Sequence, residues 1–228
     1  MKYAGEYDSR SEDILFVGDP NLGEEGYEIL TRFFPNAKKL IWKKSPEKGA
    51  KVRSRKLLRS KKWLFTISFY NDFVFSRDDF DFMGLPLNLH PALPAIRGIG
   101  HDHIPLIENH REHGSTLHLM NQPRSDRPGP NNEIDTGRII RVEKRFLSTT
   151  ATYRDIRRAN QQVILRLLAD LCEQLAEWNC VETAYRELCS ESDTNGLTWC
   201  DRYVSGRRLQ ARLEELKASS PDHRVFIQ

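Results

Sequence analysis

Six of the chain's seven histidines lie between His90 and His118. A domain has no need of that concentration merely to fold, so the chemistry is sought here. Residues 87–140 hold Leu87-Asn88-Leu89-His90-Pro91-Ala92-Leu93-Pro94, then Arg97-Gly98, then Gly114-Ser115-Thr116-Leu117-His118, and finally Ile134-Asp135-Thr136-Gly137-Arg138-Ile139-Ile140. Residues 86–89 read as a short apolar strand cut off by Pro91. Side chains alternate along a strand, so Asn88 and His90 project from one face. An amide and an imidazole then stand side by side at a strand's carboxyl end, where open α/β sheets bind ligands. A neutral amide donates to an oxygen that gains charge in acyl transfer. An imidazole accepts a proton near neutral pH. Asp135 sits on an Asp-Thr-Gly turn before a second strand at residues 138–142, placed to orient or charge-stabilise an imidazole.

His101-Asp102-His103 invites a metal reading, with Asp135 or His90 as further ligands. Ile104, Leu106 and Ile107 suggest a helix, on which residues two apart do not share a face. Substrate contact by His101 or His103 is the better expectation, and no metal is expected. His118 stands on an alternating strand over residues 114–120. Read from the strand alone, a hydrogen-bonded core histidine is open to it. No Ser or Cys with a paired base is evident. Cys172, Cys180, Cys189 and Cys200 match no zinc spacing and are expected as reduced structural thiols.

The elements that must position these residues follow from periodicity. Residues 13–19 form an apolar run ending in Gly18, a buried first strand. Residues 26–34 show helical spacing stopped by Pro35. Glu24 and Glu25 at that helix start would repel a phosphate and suit the helix dipole, so a glycine-assisted turn is preferred to a phosphate cradle. A second strand is expected within residues 38–44. Residues 38–62 carry twelve Lys or Arg and one acid, Glu47. They form either a basic surface for phosphates or a solvated helix face around Val52, Leu57 and Leu58. Residues 63–70 are the strongest strand, and Asn71-Asp72-Phe73-Val74-Phe75 turns out of it, Phe73 and Phe75 being open to an ordinary core role. A short helix is expected at residues 78–83. Residues 122–131, rich in Pro, Arg and Asp, read as a mobile surface loop. Thr152, with Asp155 three residues on, caps a long helix whose core stripe is Tyr153, Ile156, Ile164, Leu167, Leu168, Leu171, Leu175 and Trp178. Beyond Val181 the pattern weakens. Residues 206–217 read as a helix and residues 221–226 as a final short strand.

The motif set Asn88, His90-Pro91-Ala92-Leu93, Pro94, Arg97-Gly98, Gly114, Thr116, His118, Asp135, Gly137 and Ile139 resembles the 10-formyltetrahydrofolate-dependent formyltransferase family across residues 13–145. The chain has one Leu fewer before Pro94 and an extra stretch at residues 122–131. The resemblance implies an α/β fold, a Rossmann-like open, mostly parallel sheet flanked by helices, with a short C-terminal helical and strand extension. Residues 1–150 would be the catalytic core and residues 151–228 the helix and tail packing on it. It implies formyl transfer to a primary amine. Asn88 would hold the oxyanion, His90 take the amine's proton, and Asp135 hold the His90 tautomer and relay protons. The folate would be held by Phe69, Tyr70, Asn71, Asp72, Phe73, His118 and Ile134. The substrate would meet Arg97, His101, His103, Trp199 and Tyr203, the last two either stacking on a base or simply buried.

Members of that family act on different amines. The Gly18-Asp19-Pro20-Asn21 turn does not match the ribonucleotide phosphate loop, and the tail is too short for a tRNA-binding barrel. By elimination the resemblance points closest to sugar N-formyltransferases acting on a nucleotide-linked amino sugar, of the 4-amino-4,6-dideoxy type, as in lipopolysaccharide O-antigen synthesis. The runner-up is a glycinamide ribonucleotide formyltransferase. A basic nucleic-acid-binding module over residues 38–62 is a third class. Composition bounds the rest. At 228 residues, 39% hydrophobic and 29% charged, with net charge +3, the chain reads as one globular domain. It has no apolar run of membrane-spanning length and no secretory leader at residues 1–13, so a cytoplasmic protein is expected, with a homodimer left open.

Overall fold

A computed structural model of the protein describes residues 3–43, 50–124 and 133–227. The first strand, β1 (Ile14–Gly18), is buried along its length and runs parallel to β2 (Lys38–Ile41) and β3 (Phe65–Phe69). Helix α1 (Gly23–Phe33) and helix α2 (Ala50–Leu58) make the crossovers. β3 pairs in parallel with β4 (Leu85–His90), reached through a 3-10 turn at Arg77–Asp81. The sheet then changes direction. β6 (Glu112–Leu119) runs antiparallel to β4, and β7 (Ile139–Phe146) antiparallel to β6. Between them lie β5 (Arg97–Gly98) and the short helix α3 (Ile104–Ile107). The order β2-β1-β3-β4-β6-β7 is therefore a mixed sheet, with a parallel half and an antiparallel half.

The two faces differ because alternation sorts the side chains. Phe65, Ile67 and Phe69 of β3 and Leu85, Leu87 and Leu89 of β4 join Phe16 in the main core. Helix α4 (Tyr153–Trp178) covers that face beside α1, contributing Ile164, Leu167, Leu168, Leu171 and Leu175. Thr152 and Asp155 form the reciprocal cap expected of them. On the opposite face Leu15, Val17, Leu40, Leu58, Trp63 and Met83 form a smaller core. That core ends short of the strands' carboxyl ends. There Ser68, Asn88 and His118 extend the row of Val17 across β3, β4 and β6 on the same face. A polar row at the end of an apolar face is the floor of a cleft rather than a packing surface.

The sheet itself is the open, mostly parallel one expected, three of its five pairings being parallel and the last two antiparallel. Other expectations need correcting here. Helix α5 (Val181–Asn195) occupies a stretch left unassigned, and its buried Val181, Ala184 and Leu188 do keep helical spacing. Residues 221–226 form no strand; Arg224–Phe226 is a 3-10 turn with Val225 buried. Helix α6 (Gly206–Ser219) is preceded by β8 (Tyr203–Val204), which pairs in parallel with β5. The tail thus returns to the stretch that follows His90. Of residues 122–131, those from 125 onward lie outside the described residues, as do residues 44–49 of the basic stretch.

Candidate active site

Asn88 and His118 face each other as a cross-strand pair of β4 and β6, and Asn88 Nδ2 lies 2.9 Å from His118 Nε2. The other ring nitrogen, His118 Nδ1, is 2.8 Å from the Leu119 carbonyl, which holds a proton on it. A neutral His118 ring then turns the Nε2 lone pair to the Asn88 amide. One hydrogen of that amide is committed and the other is left for the cleft. The strand pairing, not the loop, orients Asn88.

His90, at the end of β4, is buried, with Nε2 2.8 Å from the Ile96 carbonyl. Its Nδ1 stands 3.6 Å from Asp135 Oδ1, and His118 Nε2 stands 3.7 Å from the same oxygen. The second carboxylate oxygen, Asp135 Oδ2, accepts the Gly98 amide at 2.8 Å. The expectation that Asp135 sets the His90 tautomer is corrected by this geometry. The Ile96 carbonyl sets it, keeping the first proton on Nε2. In the neutral ring the Nδ1 lone pair faces a carboxylate, a mismatch that disappears when Nδ1 gains a proton. Nδ1 is thus the ring nitrogen left open, and it faces Asp135. Burial alone would raise the Asp135 carboxyl. The neighbouring His90 and His118 rings and the Gly98 amide outweigh it and hold the group down at about 2.

Local backbone makes this possible. Asp135 has φ +50° and Tyr70 φ +46°, left-handed conformations that cost a non-glycine residue about 1 kcal/mol or more. Both line the cleft. Gly98 has φ +86°, which aims its N–H at Asp135. Gly137 closes the Asp135 turn so tightly against β6 that any Cβ would land on the Leu119 carbonyl oxygen. Arg97 clamps the same turn from behind, donating to the carbonyls of Ile134 at 3.1 Å and Cys200 at 3.3 Å.

The cleft has a volume of about 580 Å³. One wall is aromatic, with Trp42, Phe73, Phe75 and Phe80. Trp42 and Phe73 meet edge to face at 5.1 Å, and the Trp42 indole N–H donates to Asp72 at 2.8 Å. The other wall is polar, with Asp19, Asn21, Tyr70, His101 and Tyr203. Asn88, His90, His118 and Asp135 stand on the floor between them.

Of the side chains expected to touch a ligand, Tyr70, Asn71, Asp72, Phe73, His118, Ile134, His101 and Tyr203 line the cleft. Asn71 also braces the loop, its amide donating to the Val17 carbonyl at 3.0 Å and its carbonyl accepting from Phe73 N at 2.8 Å. Phe69 points the other way, into the main core against Phe16. Arg97 is buried behind the Asp135 turn, and His103 lies on Tyr153 with ring centroids 4.7 Å apart. Trp199 does not line the cleft. It sits edge-on behind His118 at 4.9 Å and His90 at 5.8 Å, and its indole N–H donates to the Gly137 carbonyl at 2.6 Å. It therefore backs the imidazoles instead of stacking on a base. Nothing in the sequence near Trp199 signalled that.

The basic stretch is largely spent on structure. Arg55 and Arg59 pair at 3.0 Å and 2.7 Å with the fully buried Asp79. Lys39 pairs with Glu24 and Lys61 with Asp13. Those carboxylates lie far away in sequence, which is why the stretch looked uncompensated. No cluster of His, Cys, Asp or Glu fit for a metal occurs among the described residues, and His101 and His103 do not converge. The four cysteines are free thiols. No helix among the described residues is long and apolar enough to cross a membrane.

No protein-family model matches the chain, and no curated protein sequence matches it. Solved structures do. An N-formyltransferase from Helicobacter canadensis, determined with folinic acid and dTDP-3-aminofucose, superposes with a TM-score of 0.58 at 16% identity, over 86% of this chain and 71% of that one. A 4-N formyltransferase from Francisella tularensis gives 0.61 at 15% identity, over 88% and 79%. The phosphoribosylglycinamide formyltransferase of Bacillus halodurans gives 0.51 at 19% identity, over 72% and 95%. At these identities the likeness is one of fold, an α/β formyltransferase fold built on a mixed six-stranded sheet.

Proposed function

We propose that the protein is an N-formyltransferase that moves a formyl group from 10-formyltetrahydrofolate to the primary amine of a nucleotide-linked amino sugar. One observation carries the reading: Asn88, His90, His118 and Asp135 meet on the floor of one cleft between an aromatic wall and a polar one. The fold, shared with enzymes of this chemistry, supports it.

The cleft suits a folate. Its volume of about 580 Å³ is within the usual range for small-molecule sites. Trp42, Phe73, Phe75 and Phe80 offer flat apolar surface to a pterin and its aryl ring, with Asn71, Asp72 and Ile134 at the edge. When bound, the folate supplies an activated formyl carbon. The chain's own residues do the rest. Asn88, held by His118, presents its remaining amide hydrogen to the oxygen that gains negative charge; one such donor lowers a barrier by about 2.7–4 kcal/mol. His90 takes the amine's proton at Nδ1, and Asp135, ionised throughout, stabilises the charged ring. The surrounding burial keeps that attraction strong.

A specific contact argues against the ribonucleotide alternative. Asp19 Oδ1 accepts the Leu22 amide at 2.7 Å and the Gly23 amide at 3.2 Å, so the α1 start is already capped by a carboxylate. Glu24 and Glu25 add to it. A substrate phosphate is not expected there. The structural matches include enzymes for both 3-amino and 4-amino sugars, and the 4-amino-4,6-dideoxy type is the finer choice we carry forward, in the cytoplasm where the substrate amines are made.

The test is direct. The protein is incubated with 10-formyltetrahydrofolate and a panel of 3-amino and 4-amino sugar nucleotides plus glycinamide ribonucleotide. Mass spectrometry should show one formyl group gained by a sugar nucleotide and none with Asn88→Ala. Formylation of glycinamide ribonucleotide alone would replace the reading.

A further inference from the structure

Past Tyr70 and His101, and outside the lining of the cleft, stand rings and a guanidinium that the chemistry above does not use. The Tyr70 hydroxyl is 3.4 Å from His101 Nε2, and the two rings meet edge to face at 5.3 Å. His101 Nε2 is also 3.4 Å from the carboxylate of the buried Asp102. Two residues on, the His103 ring lies over Tyr153 at the start of α4. One turn further along α4, Arg157 Nη1 donates to the Tyr153 hydroxyl at 2.8 Å. A guanidinium carries five N–H donors. Among the described residues that bond is the only one Arg157 makes, and no carboxylate pairs with it. Its charge nevertheless reaches Tyr70, His101 and His103. Arg157 is half-buried and held in place with most of its donors unspent.

The acceptor in the proposed reaction carries a diphosphate, and the cleft itself has little to hold one. Among the described residues its lining holds the carboxylates of Asp19, Asp72, Glu133 and Asp135 against one Lys or Arg, Lys43, which follows Trp42 in the chain. The start of α1, the usual place for a phosphate, is closed by Asp19. We propose that Arg157, with the imidazoles of His101 and His103 and the hydroxyl of Tyr153, forms the subsite for the phosphates of the nucleotide-linked acceptor. The planar fork of an arginine matches phosphate oxygens in pairs. Tyr153 presets its direction. The sugar amine then lies inward at His90 while the nucleotide runs out over the start of α4. This rests on the sugar-nucleotide reading above and names the site where that substrate is gripped.

Binding of UDP, dTDP and folinic acid is measured by calorimetry for the wild-type protein, Arg157→Gln, Arg157→Lys and His103→Asn. Acceptor KM and kcat are measured beside it. Arg157→Gln is expected to weaken the nucleoside diphosphate, or to raise acceptor KM, about tenfold or more. Arg157→Lys should recover part of the loss, because it keeps the charge and loses the fork. kcat should stay within about twofold and folinic acid affinity should not move, which a merely structural role for Arg157 would not produce. Turnover on a sugar nucleotide with KM and diphosphate affinity unchanged in Arg157→Gln overturns the subsite and leaves the enzyme reading standing. A wild-type protein that binds folinic acid but neither binds a nucleoside diphosphate nor formylates any sugar nucleotide overturns both.

Discussion

Two imidazole–carboxylate pairs face the cleft, and their partners make them different devices. In the pair His90–Asp135, the carboxylate accepts the Gly98 amide with one oxygen and has two imidazoles near the other. Its partner ring is anchored at Nε2 and open at Nδ1. In the pair His101–Asp102, the carboxylate is committed to Asn160, whose amide donates to it at 3.0 Å. Asn160 also donates to the Pro91 carbonyl at 3.1 Å and meets His113 Nδ1 at 2.9 Å. The first pair has an open Nδ1 near the amide to which the proposed reaction assigns the oxyanion. The second is one end of a buried network that ties the loop after β5 to α4. Similar residues thus differ in their carboxylates: Asp135 stands by the ring to which the proposed reaction gives the proton, whereas Asp102 is bound into the framework.

The largest expected effect tests the first pair. Asp135→Asn keeps the Gly98 contact and the shape but loses the charge that stabilises a protonated His90. kcat should fall by about 10²- to 10⁴-fold, with the folded state intact by circular dichroism. If kcat falls less than tenfold, Asp135 is framework too and the contrast collapses. Next comes the second pair's network. Asn160→Leu takes a buried partner from each of Asp102, His113 and the Pro91 carbonyl, at a cost of about 3 kcal/mol in denaturant unfolding. Residual kcat in the folded fraction should drop far less than in Asp135→Asn.

Acid separates the pairs by pH. The Asp135 carboxyl lies at about 2 in the folded state against an ordinary 3.8, so the unfolded chain binds its proton first. Its stabilisation is complete above pH 4 and lost as pH falls from about 4 to 2, roughly 2 kcal/mol in all. His101 and His103 are pushed below the ordinary 6.5 chiefly by burial. Their contribution also fades on acidification, but it begins to do so near pH 6.5. Unfolding followed from pH 7 to 2 should show both phases. Asp135→Asn should flatten only the lower phase, and a loss of the upper phase in that variant would show the pairs to be coupled. The smallest effect belongs to Asp102→Asn. Its amide can turn its oxygen to Asn160 and its N–H to His101, so kcat should change less than tenfold in steady-state assays.

Much of the site was legible because it depends on local rules. Asn88 and His90 share a strand face by alternation, Pro91 ends the strand, and Gly137 permits the tight turn that carries Asp135. The Thr152–Asp155 cap and the leucine stripe of α4 follow from spacing alone. Phe69 was misplaced by one step of the same alternation, since Ser68 and Tyr70, not Phe69, meet the cleft. The basic stretch stayed open to two readings because Asp79, which Arg55 and Arg59 surround, lies twenty or more residues away. Trp199 gave no signal because its partners, His90 and His118, reach it only through the returning tail.

Residue types and their local spacing determined which groups the proposed chemistry draws on, a strand-borne amide and imidazole and a carboxylate on a glycine turn, together with the helices that cover one face. Only the tertiary structure decided how those groups are wired. The antiparallel pairing of β4 with β6 gave Asn88 its histidine, the Ile96 carbonyl chose the His90 tautomer, and the pairing of β5 with β8 brought Trp199 behind both rings. The physical reason is range. Alternation, capping and turn chemistry act over a few residues, whereas hydrogen-bond partners and burial are assigned by which distant segments the hydrophobic core brings together.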